Sequence, residues 1–415
     1  MSPEPTRSMT RRGLLARGGA VGAAALAAPS VVPRFAFAAT PEHHHNGGRP
    51  EGTVVVLFLR GAVDGLSLVV PHGDKAYYDA RPTLAIPAHK LHDLDGHFGL
   101  HPSLEQLMPL WKRGDLAVVN AAGLRSTANY SHFDAQAMME SGHGMMTAGT
   151  GWLARHLACR PQAQSTLRAV SYGPHVAASL VGWDGSTAMG NLDGFSLNTL
   201  GHSYDTVMRA LDRLYSDDGR PATAAAHETF KTLDKVSAIR SRPYQPSNGA
   251  RYPKSVLGNA LLDIARVIKH VPQTEAVTVD AYGWDTHAAQ NAALPRNLAD
   301  LASGLAAFTA DLGHHMHRTT IIVMSEFGRR LEENSSLGTD HGHGNVMFVI
   351  GKGIRGGRVF GHWPGLAAKN LDLGNLAVTT DYRRVIADVV RHRLGNHHVD
   401  KVFPGLHYRP LGVAR

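Results

Sequence analysis

The sequence predicts an α/β fold in which a mostly parallel sheet carries helices on both faces, with a helical or loop insertion in its middle. Three observations predict it. Short apolar runs recur without polar alternation, as in strands buried on both faces. Segments of helical periodicity separate them, the order that gives parallel strands joined by crossovers. With 415 residues, 43% hydrophobic and 18% charged, the chain can bury a large core and is far from a disordered composition.

The first run, within "TVVVLFLRGAVDGL", is continuous from Val54 to Leu59. "PSLEQLMPLWKRG" reads as an amphipathic helix and leads into "LAVVNAAG" at 116–123. "LRAVSYG" at 167–173 is a weaker strand, followed by "EAVTVDAYGWDTH", "TTIIVMSEFG" and "NVMFVIGKG" at 275–287, 319–328 and 345–353. Helical patterns fall at 132–141, 205–215, 222–240, 254–270 and 290–313. A last helix starts at Asp381, which reads as its N-cap, and ends on Gly395. The stretch 174–250 is poor in strand signal and rich in Gly, Ser and Asn, the composition of an insertion or cap on a domain spanning 53–415. No internal repeat is present.

Residues 1–38 read as an export leader of the twin-arginine type. Arg11 and Arg12 precede an Ala/Gly-rich stretch, and Ala36-Phe37-Ala38 forms a small-residue cleavage pattern. The apolar stretch is broken by Gly, Pro and Arg34, so no stable transmembrane anchor is expected. The expected partner during export is the twin-arginine translocase, and the expected location is periplasmic or secreted. Loss of five arginines and one glutamate with the leader takes the formal charge from +8 to +4, which warrants no nucleic-acid reading. Residues 39–52 hold His43-His44-His45 and read as a solvated linker. Cys159 is the single cysteine, so no intrachain disulfide forms.

In open α/β sheets, ligands bind beyond the carboxyl ends of the strands, and acids and histidines collect there in this chain. The first strand is followed by Arg60 and Asp64. In "GWDTH", Asp285 and His287 are two apart, so both reach one ion if the backbone is extended; otherwise Asp285 caps the next helix. "SEFGRR" places Glu326 directly after a strand, with Arg329 either paired to it or holding an anionic group. "TDHGHGN" packs Asp340, His341 and His343 before a strand, as ligands or as an ordinary polar turn. Oxygen and imidazole donors suit a divalent ion such as zinc or manganese, with calcium as a further choice. Ser131, in "NYSHFDAQ", precedes a helix pattern and reads as a cap, or beside a metal as a nucleophile. His132 reads as a ligand, a base or a core histidine. "GKGIRGG" matches a dinucleotide-binding glycine pattern, but no helix start follows it, so it reads as a turn. No G-x-S-x-G elbow is present.

The order "VVVLFLRGAVDGL", "YSHFDAQ", "GTGWLARHL", "GWDTH", "SEFGR", "DHGHGNVMFVIGKGIRGG" resembles the exported bacterial family of unknown function labelled DUF1501, from about Thr53 to Leu394. That family is similar in architecture to the alkaline phosphatase and sulfatase superfamily, which carries one or two divalent metals over a parallel sheet. The resemblance implies metal ligands among Asp285, His287, Glu326, His341 and His343, and a nucleophile at Ser131. It departs at the first strand, where superfamily members end on aspartate and this chain has Arg60, with Asp64 four residues later. It departs again at Phe327, which stands where a histidine often follows the ligand acid. Two readings follow. In one, a metal held by some of Asp64, Asp285, His287, Glu326, His341 and His343 serves hydrolysis of phosphate or sulfate esters, with Arg60 or Arg329 on the anionic oxygens. In the other, the site is depleted and the protein holds a glycan, a sulfated polymer or a partner protein.

Overall fold

The computed structural model describes residues 51–125, 130–144, 149–160, 165–197, 201, 203–216 and 221–415. The leader, its cleavage pattern and the His43–His45 run lie outside them. The main sheet is built from β1 (Thr53–Leu59), β2 (Leu116–Gly123), β3 (Ala169–Tyr172), β4 (Ser186–Met189), β5 (Ala276–Ala281), β6 (Thr319–Met324), β7 (Asn345–Ile350), β8 (Val359–Phe360) and β9 (Thr380–Asp381). Their order across the sheet is β8-β2-β7-β6-β1-β5-β3-β4, with β9 also pairing β2.

The expected α/β architecture with a mostly parallel sheet holds. β1 lies between β5 and β6 and pairs both in parallel, and β3 pairs β4 and β5 in parallel. β7 is the exception, antiparallel to both β2 and β6. Seven consecutive residues of β1 are buried, as a strand covered on both faces requires. Successive side chains of β1 alternate between two cores. Val55, Leu57 and Leu59 join one cluster with α3 (Val256–His270) and α4 (Gln290–Leu312). Val54, Val56 and Phe58 join the other, with α1 (His132–Ser141), α2 (Trp152–Ala158) and α5 (Tyr382–His392). Helices therefore cover both faces.

Local chemistry sets the helix ends. Ser255 accepts from the Gly258 amide at 2.9 Å to cap α3, and Asp381 accepts from the Arg383 amide at 2.9 Å to cap α5. Gly142, at φ 70°, closes α1 in the left-handed conformation. The stretch 174–250 contains helices Tyr204–Leu214 and Pro221–Arg240, and it also supplies edge strand β4. The sequence "STAM" has little β-branched or aromatic character, so that strand leaves no pattern to read. Among the described residues, no helix is long and apolar enough to cross a membrane.

Candidate metal centre

The direction of β7 places the centre. Parallel strands β1, β5 and β6 end at one edge of the sheet, and an antiparallel β7 begins at that same edge. The whole connection 325–344, including "DHGH", therefore stays at the carboxyl edge instead of crossing back. It meets the turn after β1, the loop 282–289 after β5 and the first turn of α1.

Ligand atoms of His132, Asp285 and His341 all lie within 4.8 Å of one another. The Asp285 carboxylate is 3.5 Å from His341 Nε2 and 3.7 Å from His132 Nε2. His287 joins on one side, its Nε2 3.1 Å from Asp285 Oδ1 and 2.9 Å from His341 Nε2. Donors about 2.0–2.1 Å from a tetrahedral ion stand roughly 3.3 Å apart. The separations of Asp285 from the three rings, and of His287 from His341, are of that size, while His287 lies outside the mutually close set of His132, Asp285 and His341.

Acceptors behind the rings fix which nitrogen faces inward. His341 Nδ1 lies 2.8 Å from the Tyr130 carbonyl, which only accepts, so Nδ1 carries the hydrogen and Nε2 presents a lone pair. His132 Nδ1 donates to Glu326 Oε1 at 2.8 Å, and His287 Nδ1 to Asp340 Oδ1 at 2.9 Å. Carboxylate or carbonyl behind a ligating imidazole is the usual support of metal-bound histidine. Burial alone would raise the pKa of Glu326, but hydrogen bonds from His132, Gln136 and backbone amides bring it down to about 2. Asp340 is held below the usual carboxylate range chiefly by its hydrogen bonds from His287 and Asn334.

The inward face is short of protons. His132 Nε2 is buried with no hydrogen-bond partner among the described residues. His287 and His341, both neutral, would oppose lone pairs at 2.9 Å, which only a proton or a cation between them relieves. Burial lowers the pKa of His341 despite the opposing hydrogen bond to the Tyr130 carbonyl, and the nearby Arg329 charge adds to the lowering, so the proton is the poorer choice. Burial opposes ionisation of Asp285, but Arg329 overrides it and holds the carboxyl below its ordinary range. The donor set thus fits a divalent ion that accepts nitrogen and oxygen.

Other residues singled out from sequence are placed elsewhere. Asp64 is completely buried in a bidentate pair with Arg81, at 2.6 and 3.0 Å, and also accepts from Ser67 and Gln290. With both oxygens taken by these partners it is no ligand of the cluster, and it braces the turn after β1. Arg60 pairs with Glu140 at 2.8 Å and Asp280 at 2.9 Å, leaving no anion-binding face at the rim. Arg329 is buried; it donates to the carbonyls of Gly61, Ala62 and Thr339 and to Asp285, so it positions the ligand carboxylate rather than a substrate. His343 parts from His341, bonding Asp372 at 2.6 Å through Nδ1 and the Leu124 carbonyl at 2.8 Å through Nε2. Glu326 stands behind His132, its oxygens taken by the Gly61 amide, Gln136 and Ser325 as well as by that ring.

Ser131 is the N-cap of α1, its hydroxyl 3.4 Å from the Asp134 amide, directly before His132. Phe327 fills the space beside the histidines, stacked on His132 with ring centres 5.1 Å apart and equally close to His341. The Tyr130 carbonyl and Gln136 were invisible as site residues from sequence, because a backbone acceptor and a second-turn amide carry no motif.

A search of curated proteins finds no match. Among solved structures, the chain is similar to the zinc complex of the C-terminal periplasmic domain of EcEptC from Escherichia coli, at 10% identity and TM-score 0.35, covering 74% of each chain. It is also similar to a TAB5 alkaline phosphatase mutant with Mg bound, at 11% identity and TM-score 0.32, covering 74% of this chain and 91% of that one. A third is the alkaline phosphatase from the Antarctic bacterium TAB5, at 10% identity and TM-score 0.31, covering 74% and 93%. Overlaps of that size carry no argument about chemistry, and the α/β architecture stands on the strand pairing itself. The family described as "Protein of unknown function (DUF1501)" matches residues 51–387, nearly the whole domain. The chain belongs to the DUF1501 family.

Proposed function

We propose that this protein is an exported, metal-dependent hydrolase of phosphate or sulfate esters, with one divalent ion held by His132, Asp285, His287 and His341. One observation carries the reading: three imidazoles converge on a carboxylate while each Nδ1 is tied to an acceptor behind it. Three nitrogens and one oxygen favour zinc, with manganese next, over calcium, which takes oxygen ligands. Bound there, such an ion would supply Lewis acidity toward an ester oxygen or water.

The chain's own residues do the positioning. Glu326, Asp340 and the Tyr130 carbonyl hold the three rings in one tautomer, and Arg329 fixes the carboxylate. Ser131 is the candidate nucleophile, because the start of α1 lowers the cost of an ionised hydroxyl. Location outside the cytoplasm rests on the leader sequence, with the twin-arginine translocase as the partner in export.

A second reading, a binding or scaffold protein of the cell envelope with a depleted site, is favoured by Arg60 and Arg329. Both are committed to internal partners, so neither clamps an anionic ester. Assay of the purified mature protein on aryl phosphates and aryl sulfates, with zinc or manganese added, separates the two. Metal-dependent turnover that disappears in Asp285→Ala supports the hydrolase. Metal-loaded protein inert toward both ester classes supports the binding reading.

A further inference from the structure

Two adjoining surface clefts lie along the outer side of β2, away from the histidine cluster. They exist because β8 pairs with Val118 and Val119 while β9 pairs with Ala122 and Gly123, and the chain between loops outward. One, of about 610 Å³, is lined by Arg358, Phe360, His362, Thr380 and Arg384. The other, of about 400 Å³, is lined by Arg355, Gly356, Arg358 and Arg415, so Arg358 joins them.

None of Arg355, Arg358, Arg384 and Arg415 has an acidic partner among the described residues. Neutral groups hold three of them. Arg384 Nε donates to the Arg409 carbonyl at 3.0 Å, Arg415 to the Ile354 carbonyl at 3.2 Å, and Arg358 lies over the Phe360 ring. Nearby acids are consumed elsewhere. Asp381 pairs with Arg383, Asp115 with Lys352, and buried Asp388 accepts from Tyr408 and the amides of Leu411, Gly412 and Val413. Guanidinium groups left unneutralised along an open cleft raise the local positive potential, and each planar fork can hold two oxygens of a carboxylate or of a tetrahedral sulfate.

Geometry selects the class of anion. Neither cleft is lined by any of the exposed large hydrophobic side chains of the described residues, which a membrane-surface site would use for insertion. Phe360 and His362 are the rings lining them among the described residues, and Arg358 lies over Phe360, so at most one uncovered ring is offered and successive bases find no row to stack on. We propose that this arginine-lined groove binds a linear acidic polysaccharide, through sulfate or carboxylate groups spaced along the chain. The proposal stands independently of the hydrolase reading, since it uses none of the metal-centre residues.

The test measures binding of the mature protein to dextran sulfate, alginate, neutral dextran, anionic phosphatidylglycerol vesicles and single-stranded DNA. Binding to dextran sulfate or alginate but not to dextran is expected, weakening more than tenfold between low and physiological salt. Arg355→Glu combined with Arg358→Glu, both at exposed positions, should weaken it at least tenfold with unchanged thermal unfolding. Arg242→Glu combined with Arg251→Glu, in a loop far along the chain, should leave it within twofold. Equal losses in the two double variants would overturn the proposal, as would absence of polysaccharide binding. Tighter binding to vesicles or DNA than to either acidic polysaccharide would overturn it too.

Discussion

Glu326 contributes no atom to the cluster, yet the inward aim of His132 depends on it. Replacing it with glutamine keeps the shape and removes the charge behind Nδ1, so Glu326→Gln should lose about 10–100-fold in metal affinity, measured by competition with a chelating dye. Asp64 is a different case. Burial would raise its pKa, but the charge and hydrogen bonds of Arg81, with Ser67 and Gln290, more than offset that, so its folded value is depressed. Its stabilisation is fully present above the unfolded carboxyl value, about 3.9, and fades as pH falls through the lower folded value. Asp64→Asn, which strands a buried guanidinium, should therefore cost about 3–5 kcal/mol at neutral pH. The gap to wild type should narrow below about pH 4 in denaturant titrations. Sequence could place Asp64 near the rim but not foresee that Arg81, on another turn, would claim it. Nor could it tell His341 from His343: each is a histidine beside a glycine, and only packing against Tyr130 or Leu124 separates them.

Among the elements, most helices and the long strands were legible, because burial on both faces leaves an apolar run that no surface segment carries. Strand direction was not, since "NVMFVI" reads the same whichever way it enters the sheet. That direction is what keeps the "DHGH" connection at the rim. The turn after β1 is the second determinant. Gly61 has φ 116°, and a Cβ there would meet the Asp285 amide nitrogen at 2.8 Å. The glycine thus serves both backbone conformation and close approach of the ligand loop. Gly61→Ala should destabilise the protein by about 1–3 kcal/mol in chemical denaturation. It should also weaken metal binding, although residue 61 is no ligand.

At the scale of the whole molecule, one sheet gathers segments from positions 130, 285 and 341 at its carboxyl edge, while the arginine groove occupies its outer side. That gathering is the central claim. Elemental analysis of the protein, purified without chelator and equilibrated with zinc or manganese, tests it most directly. The account predicts one tightly held equivalent per chain, lost in His341→Ala and in Asp285→Ala with the circular dichroism spectrum unchanged. Metal-free wild-type protein after equilibration, or a full equivalent retained by both variants, would contradict it.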